Sequence, residues 1–166
     1  MKTKRLTLTA MLAGIALIIF IVESQIPLPI AVPGIKLGLA NAVTLFALAV
    51  LGGREAFAVL CLRLIIGSIF AGGINTLVYS AAGGLLSFAV MYILLKLLKK
   101  ELLWAVSVFG AAAHNIGQLA AAWVMTGSAA VFAYLPVLIL AGIATGIFTG
   151  LCAYYVVKHK GALWNI

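Results

Sequence analysis

Acidic residues are nearly absent from this chain. Its 166 residues include three glutamates, Glu23, Glu55 and Glu101, and no aspartate. Magnesium-dependent phosphoryl and diphosphate chemistry needs several carboxylate oxygens on the metal, so the sequence excludes an enzyme of that kind. Nucleotide binding through a P-loop is excluded as well, because the chain contains no Gly-Lys dipeptide.

Metal-ligating side chains are equally scarce. The two histidines are His114 and His159, and the two cysteines, Cys61 and Cys152, lie far apart without paired spacing. Both cysteines lie inside apolar runs, where a small buried hydrophobic residue is the expected role. The sequence therefore predicts no metal site and no cofactor.

Apolar residues dominate what is present. The chain is 66% hydrophobic and 8% charged, whereas a soluble domain has about 25% charged and roughly 45–50% apolar residues. These values predict an all-α integral membrane protein that forms a single transmembrane domain over residues 1–166. A chain of this length leaves no space for a separate catalytic domain, so we do not expect an enzyme.

Hydropathy predicts a bundle of six transmembrane helices. We expect the first span to be retained, because Glu23-Ser24-Gln25 after it does not resemble a signal-peptide cleavage site. The stretch from Pro27 to Lys36 is the longest non-helical connection, and Gly52-Gly53 and Gly72-Gly73 are predicted as tight turns. The predicted spans are 6–24, 37–52, 55–73, 74–96, 101–125 and 131–157.

The distribution of basic residues orients this bundle. Only Lys36 falls on one side of the predicted membrane, and nine basic residues fall on the other. By the positive-inside rule, both termini are expected in the cytoplasm and the chain in the inner (cytoplasmic) membrane. These basic residues are scattered flanks that set topology rather than a stripe interleaved with aromatics, so the lipid bilayer is an expected partner and nucleic acid is not. The nine are Lys2, Lys4, Arg5, Arg54, Lys96, Lys99, Lys100, Lys158 and Lys160.

Small residues mark two faces where helices pack closely. The sixth span carries Gly142, Gly146 and Gly150 at steps of four, which predicts a helix–helix contact within one chain or between two. The first span has Ala10 and Gly14 at the same spacing. This second strip, with Ala13 nearby, serves either partner docking or internal packing.

Polar residues inside the spans concentrate in the outer half of the predicted bundle, beneath Lys36 and the Pro-rich loop. Such groups must face one another, water or a ligand, since unsatisfied polar groups cost several kcal/mol in hydrocarbon. Each one alone is explained by interhelical hydrogen bonds, but their concentration favours a binding pocket. The members are Glu23, Asn41, Asn75, Tyr79, His114, Asn115 and Gln118.

Arg63 lies near the middle of the third predicted span. A centred arginine costs at least about 2.5–3.5 kcal/mol on insertion scales and usually has a partner or marks a pathway. Glu55 is too far along the same helix to be that partner. Arg63 therefore pairs with another helix, a carbonyl or an anionic ligand, or it snorkels toward the cytoplasmic face.

Two stretches of the chain resemble a known family. Residues Pro33 to Asn41 read PGIKLGLAN, and the run from Arg63 to Gly84 contains GS, GG and LVYSAAGG. Together they resemble the Gx transporter family, also labelled heptaprenyl diphosphate synthase component I, which is related to the substrate-binding S components of energy-coupling factor (ECF) transporters.

The resemblance implies a six-helix S-component-like bundle that binds a small vitamin-like or related metabolite from outside. It further implies docking through Ala10, Ala13 and Gly14 onto a transmembrane coupling subunit driven by cytoplasmic ATPases. The loop from Pro33 to Asn41 would be a lid. The pocket residues that it implies are Asn75, Tyr79, His114, Asn115 and Gln118, and the predicted binding set adds Lys36, Asn41 and Arg63.

Two functions follow as hypotheses. The first is the substrate-binding membrane subunit of an ATP-driven ECF-type importer. The second is a non-catalytic accessory membrane subunit in isoprenoid or quinone (heptaprenyl diphosphate) biosynthesis. A catalytic role in prenyl elongation is rejected, because those enzymes hold diphosphate through magnesium on Asp-rich motifs and this chain has no Asp.

Overall fold

The structure, a computed structural model, describes residues 2–26, 35–71, 73–98 and 102–159. Within these ranges the chain forms six α-helices, joined by turns and one short 3-10 helix, with no strand. The predictions for residues 27–34, Gly72, Lys99 to Glu101 and Lys160 lie outside the described residues. The helices are α1 (Lys2–Ser24), α2 (Asn41–Val50), α3 (Gly53–Ala71), α4 (Gly73–Leu97), α5 (Leu103–Thr126) and α6 (Leu135–His159), with the 3-10 helix at Ala129–Tyr134.

The helical membrane-protein prediction is confirmed in its coarse form. By length and composition, three helical stretches among the described residues are apolar enough to cross a membrane: Thr3–Ser24, Gly73–Leu97 and Ala129–His159. Helix α2 is apolar but shorter. The count of six spans therefore stays a prediction.

Helix boundaries differ from the predicted spans where special backbone conformations intervene. The predicted span 37–52 shrinks to α2 because Gly38 has a left-handed φ of 83° and ends regular structure ahead of the helix. Gly127 caps α5 in the same conformation, with φ 66° and its N–H donating to Trp123 O at 2.8 Å. Pro136 lies in the first turn of α6, where its missing N–H costs no helical hydrogen bond.

Successive helices along the chain run in opposite directions. Helices α1 and α3 run parallel, because Arg5 contacts Glu55 near their starts and Phe20 contacts Gly67 near their ends. The start of α1 and the end of α6 consequently lie at the same end of the bundle. The contacts that order the other helices are Gly53 with Tyr92, Gly84 with Arg63, Gly83 with His114, Gly142 with Asn115, and Gly150 with Trp104.

Basic residues collect at the end that holds the start of α1 and the end of α6. Arg5 donates to Glu55 Oε1 at 3.3 Å there, which is the one ion pair within 4 Å among the described residues. Lys96 lies over the Tyr92 ring, 4.3 Å from its centroid. We call this end the basic end; its described basic residues are Lys4, Arg5, Arg54, Lys96 and Lys158.

Glycines allow α4, α5 and α6 to approach closely. A Cβ atom added to Gly146 would lie 2.8 Å from Val108 Cα, and one added to Gly117 would lie 2.8 Å from Ala82 O. Close backbone approach of this kind replaces the hydrophobic drive that lipid does not supply between helices. The three glycines of α6 all pack on α5, so their contact lies within one chain.

The core is arranged in layers along the bundle. Toward the basic end, a large apolar cluster includes Leu45, Val59 and Met91. Toward the other end, a smaller one includes Tyr79 and Leu119. On α5 the buried residues change from apolar to polar and back to apolar along the helix, so a polar layer separates the two clusters.

Candidate functional site

Six buried polar residues from four elements and one connecting segment meet in this layer. They come from the end of α1, the segment before α2, and helices α2, α3 and α5. None exposes more than 6% of its surface. We call this group the polar cluster: Glu23, Lys36, Asn41, Arg63, His114 and Gln118.

Gln118 of α5 forms two hydrogen bonds with the backbone of the segment that precedes α2. The Lys36 N–H donates to Gln118 Oε1 at 3.0 Å, and Gln118 Nε2 donates back to Lys36 O at 2.6 Å. The same Nε2 also donates to Asn115 Oδ1 at 3.0 Å, and Asn115 Nδ2 donates to Leu138 O at 2.6 Å. One chain of amides thus ties this segment to α5 and α6. For Asn115, the structure shows the structural role that sequence reasoning allowed.

The Lys36 side chain turns into the protein. Its Nζ lies 3.3 Å from the centroid of the Phe20 ring and donates to Phe20 O at 3.4 Å. Lys36 belongs to neither α1 nor α2, and burial lowers its pKa to about 8, with repulsion from Arg63 adding to this effect and Glu23 opposing it. A buried ammonium held mainly by a ring face and one carbonyl keeps unused capacity to bind an anion.

Arg63 is the most deeply buried charged residue of the cluster. It is 1% exposed, so it does not snorkel toward the basic end. Its Nη2 donates to Asn41 Oδ1 at 3.1 Å, and the Phe20 ring lies 5.8 Å from its Cζ. Sequence reasoning asked for a partner from another helix, and Asn41 at the start of α2 supplies it. This neutral partner leaves the guanidinium charge without a directly paired carboxylate from residues 2–26, 35–71, 73–98 and 102–159.

Glu23 approaches the cluster from the last turn of α1. The N–H of Gly38 donates a short hydrogen bond to Glu23 Oε1, and the next backbone amide, that of Leu39, is near enough to stabilise this carboxylate electrostatically. Lys36 and Arg63 are near enough to interact with it electrostatically, although neither forms an ion pair within 4 Å in the part of the chain that the structure describes. The carboxylate is therefore held mainly by backbone amides.

His114 fills the space between two glycines. A Cβ added to Gly38 would lie 2.8 Å from His114 Cδ2, and one added to Gly83 would lie 2.8 Å from His114 Nδ1. Neither position tolerates a side chain without moving the imidazole. The two glycines thus create the room for His114 beside Asn41.

Several buried polar atoms of this region have no hydrogen-bond partner among the described residues. Such atoms cost free energy unless a further group satisfies them, and they mark places where a ligand or water binds. The charges are also unequal, because two cations face one carboxylate. The unpartnered atoms are Asn41 Nδ2, Thr44 Oγ1, Arg63 Nε and His114 Nδ1.

Three residues of the predicted binding set are outside the cluster as defined: Asn115, which bonds Gln118 and Leu138 O, and Asn75 and Tyr79. Asn75 is exposed on the outside of α4, so its predicted convergence with the others is wrong. Tyr79, one turn later, is buried but packs in the apolar layer with Ile35 and Leu119. Asn75 and Tyr79 are one helical turn apart, which predicts a common face. In the structure the edge of the buried face of α4 passes between them.

The strip on α1 divides between two environments. Ala10 and Gly14 are exposed, and a Cβ added to Gly14 would meet nothing within 4 Å. Ala13 packs inside the large apolar cluster, so its inclusion in a docking surface is wrong. One residue in the helix rotates the side chain by about 100°, which separates Ala13 from its neighbour.

Sequence reasoning missed three contributors to the site. Glu23 was placed among the outer polar groups but not among the binding residues, because a carboxylate gives no sign of its backbone partners. Phe20 resembles any membrane-helix aromatic residue until the Lys36 ammonium lies on its ring. Gly38 is the contributor that the sequence could have indicated, because a glycine within the PGIKLGLAN motif suggests a backbone position with positive φ.

Comparison with known families identifies the chain. Residues 12–156 match the family model of heptaprenyl diphosphate synthase component I. The match spans most of the sequence, so the chain belongs to this family. No curated protein and no solved structure matches it.

Proposed function

We propose that this member of the heptaprenyl diphosphate synthase component I family is a non-catalytic membrane subunit that binds a small molecule in the polar cluster. The observation that carries the proposal is the burial of Lys36 and Arg63 with Glu23 as the one counter-charge among the described residues, beside unpartnered polar atoms. A bundle stabilised by packing alone has no need of this arrangement, which costs several kcal/mol per buried ion.

The non-catalytic part of the proposal follows from the positions of the carboxylates. Glu23 lies in the polar cluster, and Glu55 pairs with Arg5 at the basic end. These two glutamates cannot converge on one magnesium ion, as prenyl elongation would require. The family is named for one component of a synthase, so in this proposal the chain works with a partner subunit that carries out the chemistry.

In this proposal the chain crosses the membrane six times, and the second crossing is the predicted span 37–52 rather than α2 alone, whose 10 residues are about 15 Å long. The basic end faces the cytoplasm, in keeping with the positive-inside rule, and the polar cluster lies in the outer half of the bilayer. Both termini are then cytoplasmic, in the inner membrane. A cytoplasmic or membrane-bound prenyl-diphosphate synthase subunit is accessible from that face.

Deletion with complementation tests this function. In a strain lacking the chain, we expect a shorter or less abundant prenyl product, restored by the wild type and by Arg54→Ala but not by Arg63→Ala. Arg54 is the matched control, because it is an exposed arginine on the same helix. Co-expression with the catalytic subunit of the same strain and purification in mild detergent test the complex directly. Unchanged prenyl products in the deletion strain would refute the accessory role.

A second candidate function is the substrate-binding subunit of an ATP-driven importer. It is favoured by the exposed strip of Ala10 and Gly14, which offers a flat surface for a coupling subunit at the lipid-facing side of α1. ATPases in the cytoplasm would then power release of the bound molecule. Loss of uptake of a small molecule, with unchanged prenyl products in the deletion strain, would favour this function over the accessory role.

A further inference from the structure

The carboxylate of Glu23 occupies a position that suits an anion in general. It accepts from the backbone N–H of Gly38 and lies beside that of Leu39, the next amide along, where the backbone turns through the left-handed conformation of Gly38. Successive amides in such turns form concavities that bind phosphate and other oxyanions. Helix α2 begins just beyond them, at Asn41, and its N-terminal dipole adds to the attraction.

Further donors surround this position, and they are not used by Glu23. Arg63 Nε and Asn41 Nδ2 are buried without a hydrogen-bond partner among the described residues. Lys36 Nζ contacts a ring and one carbonyl and pairs with no carboxylate of the described residues. A monovalent carboxylate therefore occupies a site whose donors and charges suit an anion with more oxygens and more charge.

We propose that Glu23 is an internal anion that holds the place of a diphosphate or phosphate group, and that binding of this group displaces the Glu23 side chain. This inference rests on the proposed function, which makes the polar cluster the binding site, and it adds the class of ligand. The incoming group accepts from the amides of Gly38 and Leu39 and pairs with Lys36 and Arg63.

The position of Glu23 in the chain makes the exchange local. Helix α1 ends at Ser24, so Glu23 lies in its last turn, and Gln25 and Ile26 after it are exposed. Unwinding of one terminal turn moves the carboxylate without disturbing the apolar core. The amides of Gly38 and Leu39 stay in place meanwhile, because the reciprocal bonds between Lys36 and Gln118 hold this segment on α5.

Binding of inorganic diphosphate and geranyl diphosphate to the full chain in nanodiscs, measured by isothermal titration calorimetry, tests the exchange. Removing the competing charge by Glu23→Gln is expected to tighten binding of both by about tenfold or more, because like charges brought together cost several kcal/mol. Glu55→Gln is the matched control and is expected to bind as the wild type does, since Glu55 pairs with Arg5 at the basic end. Lys36→Met is expected to weaken binding.

Comparison of the two probes distinguishes a site for free diphosphate from a site for a prenylated diphosphate. Equal tightening of both probes indicates a site for the diphosphate group itself, and stronger binding of geranyl diphosphate indicates a prenylated ligand. Geraniol, which lacks the charged group, is expected not to bind. Should Glu23→Gln fail to fold, Glu23→Asp is also expected to tighten diphosphate binding, but by a smaller factor. Its shorter side chain keeps the charge but reaches the amides less well.

Three results would overturn the inference. They are equal or weaker diphosphate binding in a folded Glu23 variant, unchanged binding in Lys36→Met, and no binding to any form of the chain. Such results leave the proposed function standing if the deletion strain still loses its prenyl product. Unchanged prenyl products in the deletion strain, together with intact diphosphate binding, would refute the accessory role alone.

Discussion

The glycine face of α6 allows a prediction whose size follows from the structure. We compare Gly146→Ala with Gly14→Ala, two substitutions of glycine by alanine in the middle of apolar helices. At Gly146 the new Cβ would lie 2.8 Å from Val108 Cα and 3.1 Å from Val108 N, both backbone atoms of α5. At Gly14 it would meet nothing within 4 Å. The two variants thus differ in one respect, a clash with a neighbouring helix.

The clash at position 146 cannot be relieved by a change of rotamer, because the neighbouring atoms belong to the backbone of α5. Ordinary contact begins at 3.4 Å, so α6 would have to move away from α5 by about 0.6 Å, a gap that forfeits a quarter to a half of the dispersion energy at the contact. Overpacking in a well-packed core costs about 1–3 kcal/mol. Both variants gain the helix propensity of alanine, so their difference isolates the clash.

The assay is reversible unfolding in mixed micelles with increasing dodecyl sulfate, followed by helical circular dichroism. We expect the free energy of unfolding of Gly146→Ala to lie about 1–3 kcal/mol below that of Gly14→Ala. Gly14→Ala is expected at or slightly above the wild type. Equal stability of the two variants would show that α5 and α6 do not pack through these glycines.

Three further predictions concern the site and the α1 surface. Diphosphate affinity is expected to fall as pH rises past about 8, because Lys36 then loses its proton and charge; the fall should be absent in Lys36→Arg, whose guanidinium stays protonated. Any pH dependence that remains in that variant comes from the diphosphate probe, which loses a proton itself in alkaline solution, or from Glu23, Arg63 and His114, which face the same place. Gln118→Leu is expected to speed amide hydrogen exchange in residues 35–40, since it removes both bonds to Lys36; unchanged exchange would show that Gln118 does not hold this segment. Gly14→Leu should leave stability and diphosphate binding unchanged but abolish co-purification with a membrane partner, and retention of the partner would exclude a docking role for this strip.

The sequence by itself determined the class of the molecule. Composition alone predicts a helical membrane protein, because a chain with 66% hydrophobic and 8% charged residues cannot fold as a soluble domain. The lack of aspartate argues against prenyl elongation chemistry for the same elementary reason that magnesium needs carboxylates. Most members of the polar cluster were also identified, since polar groups inside apolar helices are expensive and therefore informative.

The tertiary structure decided which of these residues meet. Equal helical spacing predicted that Asn75 and Tyr79 share a face, yet Asn75 is exposed and Tyr79 lies in an apolar layer. Whether α4 turns one side or another toward α5 depends on the glycines that allow the closest approach, among them Gly83 and Gly117. Rotation of a helix about its axis is a property of the packed bundle, and one sequence pattern fits several rotations.

The role of Glu23 was likewise beyond the reach of sequence. Its partners are the amides of Gly38 and Leu39, and every residue but proline has such an amide, so no residue type announces the contact. Lys36 reaches the site by lying on the face of Phe20, a contact between two side chains 16 positions apart. The sequence therefore determined how much charge the bundle contains, whereas only the packed structure decided that two cations and one carboxylate share a single buried layer.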